Sequence, residues 1–530
     1  MRWWLLLLVL AAELPAVEVI LDANCPWIDR DGYTPVILSI RADEPTQVEV
    51  RAELDDNEAT AVIAVPAGEL VRQTLLIPGS LRRWSSSVEI TWRAPGRREV
   101  RTGASPRGFR DLDVVVVDPE ESLALKDYRE RLAKELGNPP DSNHYRGSTS
   151  GSYNQDRFNR WAFDSLPERW QGWPAWVTVV TTAAGDRRLS DGQRQALAAW
   201  THAGGRLFVA DRAQLAAWRG LGARAELLNQ SALNTRVRQV WDSLRHEPAA
   251  VAVPDTGRVP VYGFVSIAVL FSLVVGPLNF WWCARQGRRH LLLLTTPLLS
   301  LAACTVLLVY GLVADGLGTR RLAAQVMILD QQLGRASVWH GLSYFAGLAP
   351  GAIGLDPDDR LSVIGKPDDR REEPSVELAW STVQRATGSW IPARMNRQLA
   401  HATVRPERRR LGLAASGAGW QVTNGFDQSL TSLAWQDPQG QPWHLVTELA
   451  PGASAPLVRG SSPHGEPPIA RLPVAAFLAV QGGAWTARFA APLVEVPGPE
   501  AVDVQPVATW VIGLPFSGLS ASGQAASGGF

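Results

Sequence analysis

Short runs in which apolar and polar residues alternate fill the first part of the chain. The runs PVILSIRA (35–42), QVEVRAEL (47–54) and SVEITWRA (87–94) each place every second side chain on one face, with turn residues between them. A strand that buries one face has this period of two. Residues 17–107 are therefore predicted to form a small antiparallel β-sandwich.

The period changes after residue 107. Three continuous apolar runs indicate buried strands, and SLALKDYRERLAKEL and SDGQRQALAAWTHAGG between them have helical spacing. The second helical run has Ser190 as its N-cap and stops at Gly204. Strands that alternate with helices predict a parallel α/β sheet over residues 108–250. The three strand runs are DLDVVVVD (111–118), WVTVVTT (176–182) and RLFVAD (206–211).

Two long spans carry no charged residue, at 259–284 and 291–314. Each exceeds the ~20 residues that an α-helix needs to cross the hydrocarbon core of a membrane. The loop between them, RQGRRH, contains Arg285, Arg288 and Arg289, and short arginine-rich loops stay in the cytoplasm. The sequence therefore predicts a transmembrane hairpin with this loop inside and both flanks outside.

The N-terminus agrees with that orientation. Residues 1–16, MRWWLLLLVLAAELPA, combine Arg2 with an apolar stretch, which is typical of a secretory signal peptide. An uncleaved anchor is the alternative, and in both cases the adjoining β domain is exported. Arg320 and Arg321, just after the second span, oppose the orientation. Two independent signals outweigh this one pair, so the predicted hairpin domain, residues 251–318, keeps its cytoplasmic loop.

Gly276, Pro277 and Asn279 interrupt the first span near its end. Such a break can line a substrate pathway with freed carbonyl groups, or it can be a kink near the membrane interface. No acidic residue or lysine lies in either span, and two helices are too few for a pore. An anchor is therefore the favoured interpretation of the hairpin.

Strand patterning returns after Thr319, in AAQVMILD, RLSVIG, GWQVTNGF and PWHLVTEL. Residues 319–515 are predicted to form a second, larger β-rich domain. The Gly/Ser-rich residues 516–530 are predicted to be a disordered tail. The expected fold class is thus multidomain: an α/β domain, all-β domains and a transmembrane helical hairpin.

Composition narrows the functional classes. The 530 residues have a formal net charge of +0, which argues against nucleic acid as a main partner. The three cysteines supply no disulfide framework, and the chain has no C-x-x-C or H-E-x-x-H spacing. We therefore expect no structural metal and no cofactor. The arginine-rich run PERRRL (406–411) is interpreted as an edge strand or loop.

Polar side chains stand where the predicted parallel strands end. Asp118, Thr181, Thr182 and Asp211 all fall at carboxyl ends, and open α/β sheets bind ligands in that crevice. Two carboxylates can hold a divalent cation, or one can act as a general base. The alternative, which we favour, is that Asp118 and Asp211 cap the helices and turns that follow them. Asp118, Thr181 and Asp211 are the candidate ligand-binding residues.

Two further catalytic patterns are incomplete. VVVVDPEES matches the D-x-S-x-S metal site of von Willebrand A domains at Asp118 and Ser122 but has Glu120 between them. The loop GSTSG (147–151) has Thr149 where a G-x-S-x-G hydrolase needs serine.

Tryptophans crowd the stretch RWAFDSLPERWQGWPAW. If exposed, Trp161, Trp170 and Trp173 would form a sugar-binding or partner surface, since tryptophan is enriched at interface hot spots. If buried, they pack helices against the strand that Trp176 opens. Packing is the favoured interpretation, and these three residues are the candidate interface.

The α/β segment resembles a class I glutamine amidotransferase-like domain, on the strength of two strand ends and the stretch LSDGQRQALAAWTHAGGRLFV. In active members, a cysteine nucleophile occupies the elbow after the strand that corresponds to Arg206–Val209. Here the elbow falls near Asp211, and the segment contains no cysteine. The resemblance implies an amidotransferase fold that has lost its chemistry.

The layout as a whole resembles a family of bacterial envelope proteins with a β domain, an amidotransferase-like domain, a transmembrane hairpin and a further β domain. GPLNF (276–280), VTNGF and LAPG (449–452) carry this likeness. It implies a bacterial inner-membrane protein, mostly periplasmic, that acts as an accessory or assembly factor with protein partners. The oligomeric state stays open.

The sequence is also compatible with two other functions. One is a hydrolase or metal- or ligand-binding domain that uses Asp118 and Asp211. The other is an accessory subunit of an export or transport system, whose hairpin packs on a channel through Gly276, Ala302 and Ala303.

Overall fold

A computed structural model describes most of the chain. It covers residues 18–29, 32–79, 87–105, 114–119, 158–160, 166–174, 177–229, 231–233, 235–236, 261–287, 291–364, 375–381, 383–417, 419–437, 439–461, 485–503, 505 and 507–514. The predicted signal peptide, the helix 122–136, the GSTSG loop and the C-terminal tail lie outside the described residues. So do Glu120, Trp161, Trp176, Arg288 and Arg289.

Seven strands form the N-terminal β region. Buried positions alternate as predicted in β3, β4 and β6, whereas the first half of β2 and the second half of β5 are buried on both faces. In β3, for example, Val48, Val50, Ala52 and Leu54 are buried while the residues between them face outward. Three of the strands form a small antiparallel sheet in the order β1-β2-β5, which shares an apolar core with the sheet of β3, β4, β6 and β7. The strands are β1 (Val19–Asn24), β2 (Tyr33–Ala42), β3 (Thr46–Leu54), β4 (Asn57–Val65), β5 (Leu70–Pro78), β6 (Val88–Arg93) and β7 (Val100–Ala104).

The α/β region contains a five-stranded sheet in which every described pairing is parallel. Ser190 caps the helix that begins at Asp191, and the Gln193 side chain bonds back to the Ser190 backbone, so the predicted N-cap is confirmed. The elements are β8 (Val114–Val117), β9 (Phe158–Arg160), β10 (Thr178–Thr181), α1 (Ala183–Arg188), α2 (Asp191–His202), β11 (Arg206–Val209), α3 (Arg212–Gly220) and β12 (Ala225–Leu227).

Two long apolar helical segments come next in the chain. The first continues through the predicted interruption as a π-helical segment, Val274–Leu278, which contains Pro277. The break is therefore a local change of helix type within a longer helical run. The helices are α4 (Val261–Leu273), α5 (Asn279–Arg285) and α6 (Leu292–Asp315).

The remaining strands build a ten-stranded sheet and two smaller assemblies. The large sheet runs in the order β16-β19-β14-β13-β28-β26-β22-β23-β25, with β27 paired to β13, and β20-β21-β24 form a separate sheet. These strands are β13 (Thr319–Asp330), β14 (Arg335–Ala346), β15 (Ile353–Leu355), β16 (Asp359–Ile364), β17 (Val376–Trp380), β18 (Gln384–Gly388), β19 (Asn396–Pro406), β20 (Arg410–Ser416), β21 (Gly419–Gly425), β22 (Leu430–Gln436), β23 (Pro442–His444), β24 (Ser454–Pro456), β25 (Val458–Arg459), β26 (Trp485–Phe489), β27 (Val502–Asp503) and β28 (Ala508–Gly513).

The two β regions are joined through a shared sheet. Strand β17 pairs in parallel with β4, so that β15, β18 and β17 extend the N-terminal sheet of β4, β3, β6 and β7 to seven strands. One apolar core then includes residues from both regions, such as Val48 and Leu342. The segments before and after the apolar helices therefore fold as one body.

The α/β region packs on the opposite face of the ten-stranded sheet. Trp200 of α2 belongs to the same apolar core as Val326 and Ile328 of β13 and Trp339 of β14. Because side chains alternate along a strand, β13 is buried on both faces, with Val326 and Ile328 on one face and Met327 and Leu329 on the other. The large sheet is the central layer of the molecule.

Candidate functional site at the carboxyl edge of the parallel sheet

The strand order of the parallel sheet has its topological switch point between β8 and β10, and we call the carboxyl edge of these two strands the crevice. The sheet runs β9-β8-β10-β11-β12, so the chain first moves outward from β8 to β9 and then returns to the other side of β8. Ligands of doubly wound sheets bind at such a switch point, outside the carboxyl ends of the strands. Strand β8 ends at Val117 and β10 at Thr181, which puts Asp118 and Thr182 at this point.

Asp118 and Thr182 contact each other there. The Thr182 hydroxyl donates to Asp118 Oδ1 at 3.3 Å and accepts the backbone N–H of Gly185 at 3.2 Å, which makes Thr182 the N-cap of α1. Both side chains are buried. The Asp118 carboxylate at the crevice therefore adjoins Thr182, whose side chain already caps helix α1.

Gly185 lets helix α1 approach this edge. A Cβ at position 185 would lie 2.0 Å from the carbonyl oxygen of Val117 and 3.0 Å from Thr181 Oγ1. No side chain fits at those distances, so the close contact between the helix and the end of β8 requires glycine here.

Asp186 is a third carboxylate of the site, and no motif in the sequence singled it out. Its Oδ1 accepts the Thr181 hydroxyl at 2.8 Å, and its Oδ2 accepts Gln214 Nε2 at 2.6 Å and Trp218 Nε1 at 3.0 Å. These bonds tie the end of β10 and helix α1 to helix α3. A carboxylate held by three donors is a structural cross-link of the crevice wall.

Asp211 caps the helix that follows it. Its Oδ1 accepts the backbone N–H of Gln214 at 2.8 Å, and the Gln214 side chain accepts the N–H of Ala210 at 3.1 Å. Its backbone has φ −138° and ψ 168°, an ordinary extended conformation. A nucleophile elbow holds its reactive residue on a strained turn, which Asp211 does not occupy. The geometry is that of the capping alternative.

The described residues of the crevice offer few side chains that could bind a metal ion. Within the described residues, no group of three or more His, Cys, Asp or Glu side chains is arranged to hold a metal ion. Of the predicted ligand-binding residues, Asp118 and Thr181 lie at the ends of the neighbouring strands β8 and β10. Asp211 follows β11, one strand further along the sheet.

Trp170 and Trp173 are buried at the junction of the three regions. The Trp173 ring lies 5.3 Å from that of Trp27 and 5.7 Å from that of Trp200, measured between centroids, and Trp27 Nε1 donates to the Gly172 carbonyl at 2.9 Å. Trp170 Nε1 donates to the Asp358 carbonyl at 3.1 Å. The geometry is that of the packing alternative: these two side chains join parts of the same chain and are not exposed to a partner.

A buried polar row crosses the large sheet, and sequence patterns did not reveal it. Gln325, His340 and His401 occupy paired positions on β13, β14 and β19. Gln325 Nε2 lies 2.7 Å from His340 Nε2, His340 Nδ1 lies 3.0 Å from His401 Nδ1, and His401 Nε2 lies 3.2 Å from Asp359 Oδ2. The row separates two apolar cores on one face of the sheet.

The hydrogen-bond pattern assigns one proton arrangement to this row. Gln325 Oε1 accepts the backbone N–H of Leu493, so its Nε2 donates to His340 Nε2. His340 then donates through Nδ1 to His401, whose Nε2–H faces Asp359. Burial lowers the pKa of His340 well below its ordinary value of 6.5. Burial alone would raise the pKa of Asp359, but its contact with His401 lowers it.

The two apolar helical runs qualify as membrane spans by length and composition. The qualifying segments are Val265–Arg285 and Leu292–Tyr310, with 21 and 19 residues. They contact each other where Gly263 meets the Tyr310 hydroxyl and where Asn279 Nδ2 donates to Thr296 Oγ1 at 3.4 Å. Gly276 has open space around it. Arg285 lies over the Trp281 ring at 5.2 Å, near the turn between the helices.

Comparison with known proteins identifies no family. No protein-family model matches the chain, and no curated protein matches it. Among solved structures, the chain is similar to the yeast delta-COP-I mu-homology domain complexed with a Dsl1 WxWxV peptide. That match has 9% sequence identity and a TM-score of 0.18, and it covers 37% of this chain and 96% of that one. A TM-score this low does not indicate a shared fold.

Proposed function

We propose that the chain is a non-catalytic, membrane-anchored scaffold of the bacterial envelope, whose folded body binds partner proteins outside the cytoplasm. The observation that carries this proposal is that polar side chains at the crevice hold their own helices in place. Asp211 caps α3, Thr182 caps α1, and Asp186 accepts three hydrogen bonds. Groups that hold their own helices in place are poorly suited to act as nucleophile or base. The degenerate amidotransferase-like domain therefore serves as a structural module.

Two features support a membrane hairpin as the anchor. The apolar helices expose large side chains along their length, for example Leu270, Leu294 and Leu308, which lipid would cover. The chain segments on either side of the hairpin share one sheet and one core, so both flanks lie on the same side of the membrane. The signal-like N-terminus and the arginine loop favour the extracytoplasmic side.

Two near-isosteric variants test the non-catalytic part. Asp118→Asn and Asp211→Asn remove the carboxylate charges but keep hydrogen-bond acceptors, and asparagine is a good N-cap. We expect the full chain in detergent to release no calorimetric heat with Mg²⁺, Mn²⁺ or Zn²⁺, and both variants to behave identically. A saturable metal signal that Asp118→Asn abolishes would contradict the proposal.

Purification of the full chain in mild detergent, followed by chemical cross-linking and mass spectrometry, tests the scaffold part. We expect a stoichiometric partner cross-linked to the folded body. The control replaces the hairpin with an unrelated membrane anchor and should retain the partner. A protein that stays alone under all conditions would refute the scaffold, and loss of the partner in the control would favour a transport subunit that packs through its helices.

A second function is favoured by one observation, the strand order. The crevice lies at the switch point between β8 and β10, with the Asp118 carboxylate at its edge. A small polar ligand that hydrogen-bonds Asp118 would occupy this position without any catalysis. Protection of the wild type against thermal unfolding by such a ligand, with no protection of Asp118→Asn, would support this alternative.

A further inference from the structure

Three loops and the segment that contains strand β27 meet at the end of the large sheet that adjoins helix α6. We call this group the tip; it comprises residues 316–318, 347–352, 391–395 and 501–503. The backbone N–H of Gly347 donates to the Gly318 carbonyl at 3.0 Å, and that of Arg394 donates to the Ala346 carbonyl at 2.7 Å. Strand β27 joins through the pairing of Val502 with Arg320. The tip is therefore a connected part of the sheet.

Each of these four segments exposes a large apolar side chain. The exposed fractions are 58% for Leu317, 56% for Leu348, 52% for Met395 and 72% for Val502. Single exposed apolar residues are common on protein surfaces, but four on adjoining segments at one end of a sheet are a group that invites a partner or a membrane, and we call this group the patch.

The position of helix α6 specifies what covers this patch. The helix has 24 residues, about 36 Å at 1.5 Å per residue, which slightly exceeds a hydrocarbon core of about 30 Å. Its last residue, Asp315, then lies in the headgroup layer. Four peptide steps from Asp315 to Thr319 reach at most about 14 Å. Thr319, which adjoins the tip at the start of β13, therefore lies within this distance of the headgroup layer.

The charged residues of the tip fit the same location. Arg320 and Arg394 are exposed, and their long side chains can extend along the headgroup layer with the guanidinium in water. Arg321 is instead bound to Asp503 by two hydrogen bonds of 2.7 and 3.1 Å. Of the two arginines that opposed the predicted membrane orientation, Arg321 is therefore held in an ion pair within the fold.

We infer that the tip is a membrane-contact surface, which inserts Leu317, Leu348, Met395 and Val502 into the headgroup layer of the bilayer that holds helix α6. This inference rests on the proposed anchor. The large sheet then stands upright on the membrane. Strand β13 spans about 37 Å over its 12 residues, so its far turn lies well above the surface. Gly222 of the α/β region adjoins Arg335 at that turn, which places this side of the α/β region away from the lipid.

Fluorescent depth measurement tests the inference on the full chain in phosphatidylglycerol/phosphatidylethanolamine vesicles. A polarity-sensitive nitrobenzoxadiazole probe is attached to Leu348→Cys or Met395→Cys after Cys283 and Cys304 are replaced by alanine. Burial raises the pKa of the remaining Cys25 to about 12, so that thiol stays protonated and unreactive. Spin-labelled lipids in the vesicles quench only those probes that touch the bilayer.

Two matched positions complete the design. Leu221→Cys is a distal control, since Leu221 is 44% exposed beside Gly222, and Leu308→Cys is an inserted control on α6. We expect quenching and a blue-shifted emission at 348, 395 and 308, and neither at 221. Replacing Leu317 by glutamate should reduce the quenching at 395.

The outcomes separate the inference from the proposed function. Quenching at 308 without quenching at 348 and 395 overturns the membrane-contact surface while the anchor stands. Absence of quenching at 308 as well refutes the anchor itself. Equal quenching at 221 and 348 overturns the inference too, because the body would then lie flat on the membrane.

Discussion

Acid should destabilise the large sheet through His340. This side chain is fully buried between Gln325 and His401, and burial holds its pKa well below 6.5. In the unfolded chain the same imidazole titrates near 6.5. The native state therefore binds fewer protons, so the stabilising contribution is complete above pH 6.5 and is lost as the pH falls below it.

The magnitude follows from this difference in proton binding. At pH 5, about 1.5 units below the pKa in the unfolded chain, protonation of His340 stabilises the unfolded chain by about 2 kcal/mol. The native state, in which His340 stays neutral, does not gain this free energy. His202, whose burial lowers its pKa to about 4, adds a similar loss in the same interval. A difference between wild type and a His340 variant isolates the first contribution, since His202 is present in both.

Urea unfolding of the full chain in detergent at pH 7 and pH 5 provides the assay, with tryptophan fluorescence as the signal. Trp339 is buried next to His340 and reports on this sheet. In His340→Asn the amide nitrogen can take the place of Nδ1 and donate to His401, but it does not titrate. We expect the loss of unfolding free energy between pH 7 and pH 5 to be smaller in the variant by about 2 kcal/mol.

Ser343→Ala serves as the control, because Ser343 is a buried polar residue of the same strand that does not titrate. It should lower stability equally at both pH values. If His340→Asn shows the same pH dependence as wild type and as Ser343→Ala, then His340 is protonated in the native sheet, and the assigned arrangement of protons is refuted.

Three further predictions concern the α/β region, and denaturant unfolding checks each of them. Asp211→Ala should cost about 1 kcal/mol because the Gln214 N–H loses its acceptor, whereas Asp211→Asn should cost a few tenths; equal losses would contradict the capping role. Gly185→Ala should cost about 1–3 kcal/mol, since its Cβ would meet the Val117 carbonyl oxygen at 2.0 Å, and a neutral effect would show that helix α1 is free to move. Trp173→Ala should cost about 3–5 kcal/mol through the cavity it leaves, and a loss below ~1 kcal/mol would mean that this side chain is exposed to solvent or to a partner.

Local features of this protein were predictable because their physical causes lie within a few residues. The capping box at Ser190 consists of bonds across three residues, and the chain contains both partners in sequence. The same holds for the alternation of β3 and for the uncharged runs that form α4–α6. The arginine-rich run after Pro406 likewise leads into β20, an edge strand of its sheet, as predicted.

The candidate site was predictable only in part. Strand ends at Asp118 and Thr181 follow from apolar runs, and parallel pairing then brings them to one edge. Their actual use required the fold. Asp186 was missed because its partners Gln214 and Trp218 are distant in sequence, and only the packing of α3 on the sheet brings them to it.

Pairing between distant segments was decided by tertiary structure alone. The sequence of a strand indicates which face it buries, but not which strand lies beside it. The pairing of β4 with β17, on opposite sides of the hairpin in the chain, could therefore not be predicted from either strand. The same reason applies to His340 and His401, whose alternating positions look like ordinary strand residues until β14 and β19 align. It also applies to Trp170 and Trp173, since an aromatic side chain can be buried equally well in a core or against a partner.

The sequence determined the elements and their apolar faces, because these depend on hydrogen bonds and periodicity over short range. The fold decided which faces meet, because burial of apolar area has no directional preference until all the layers are assembled.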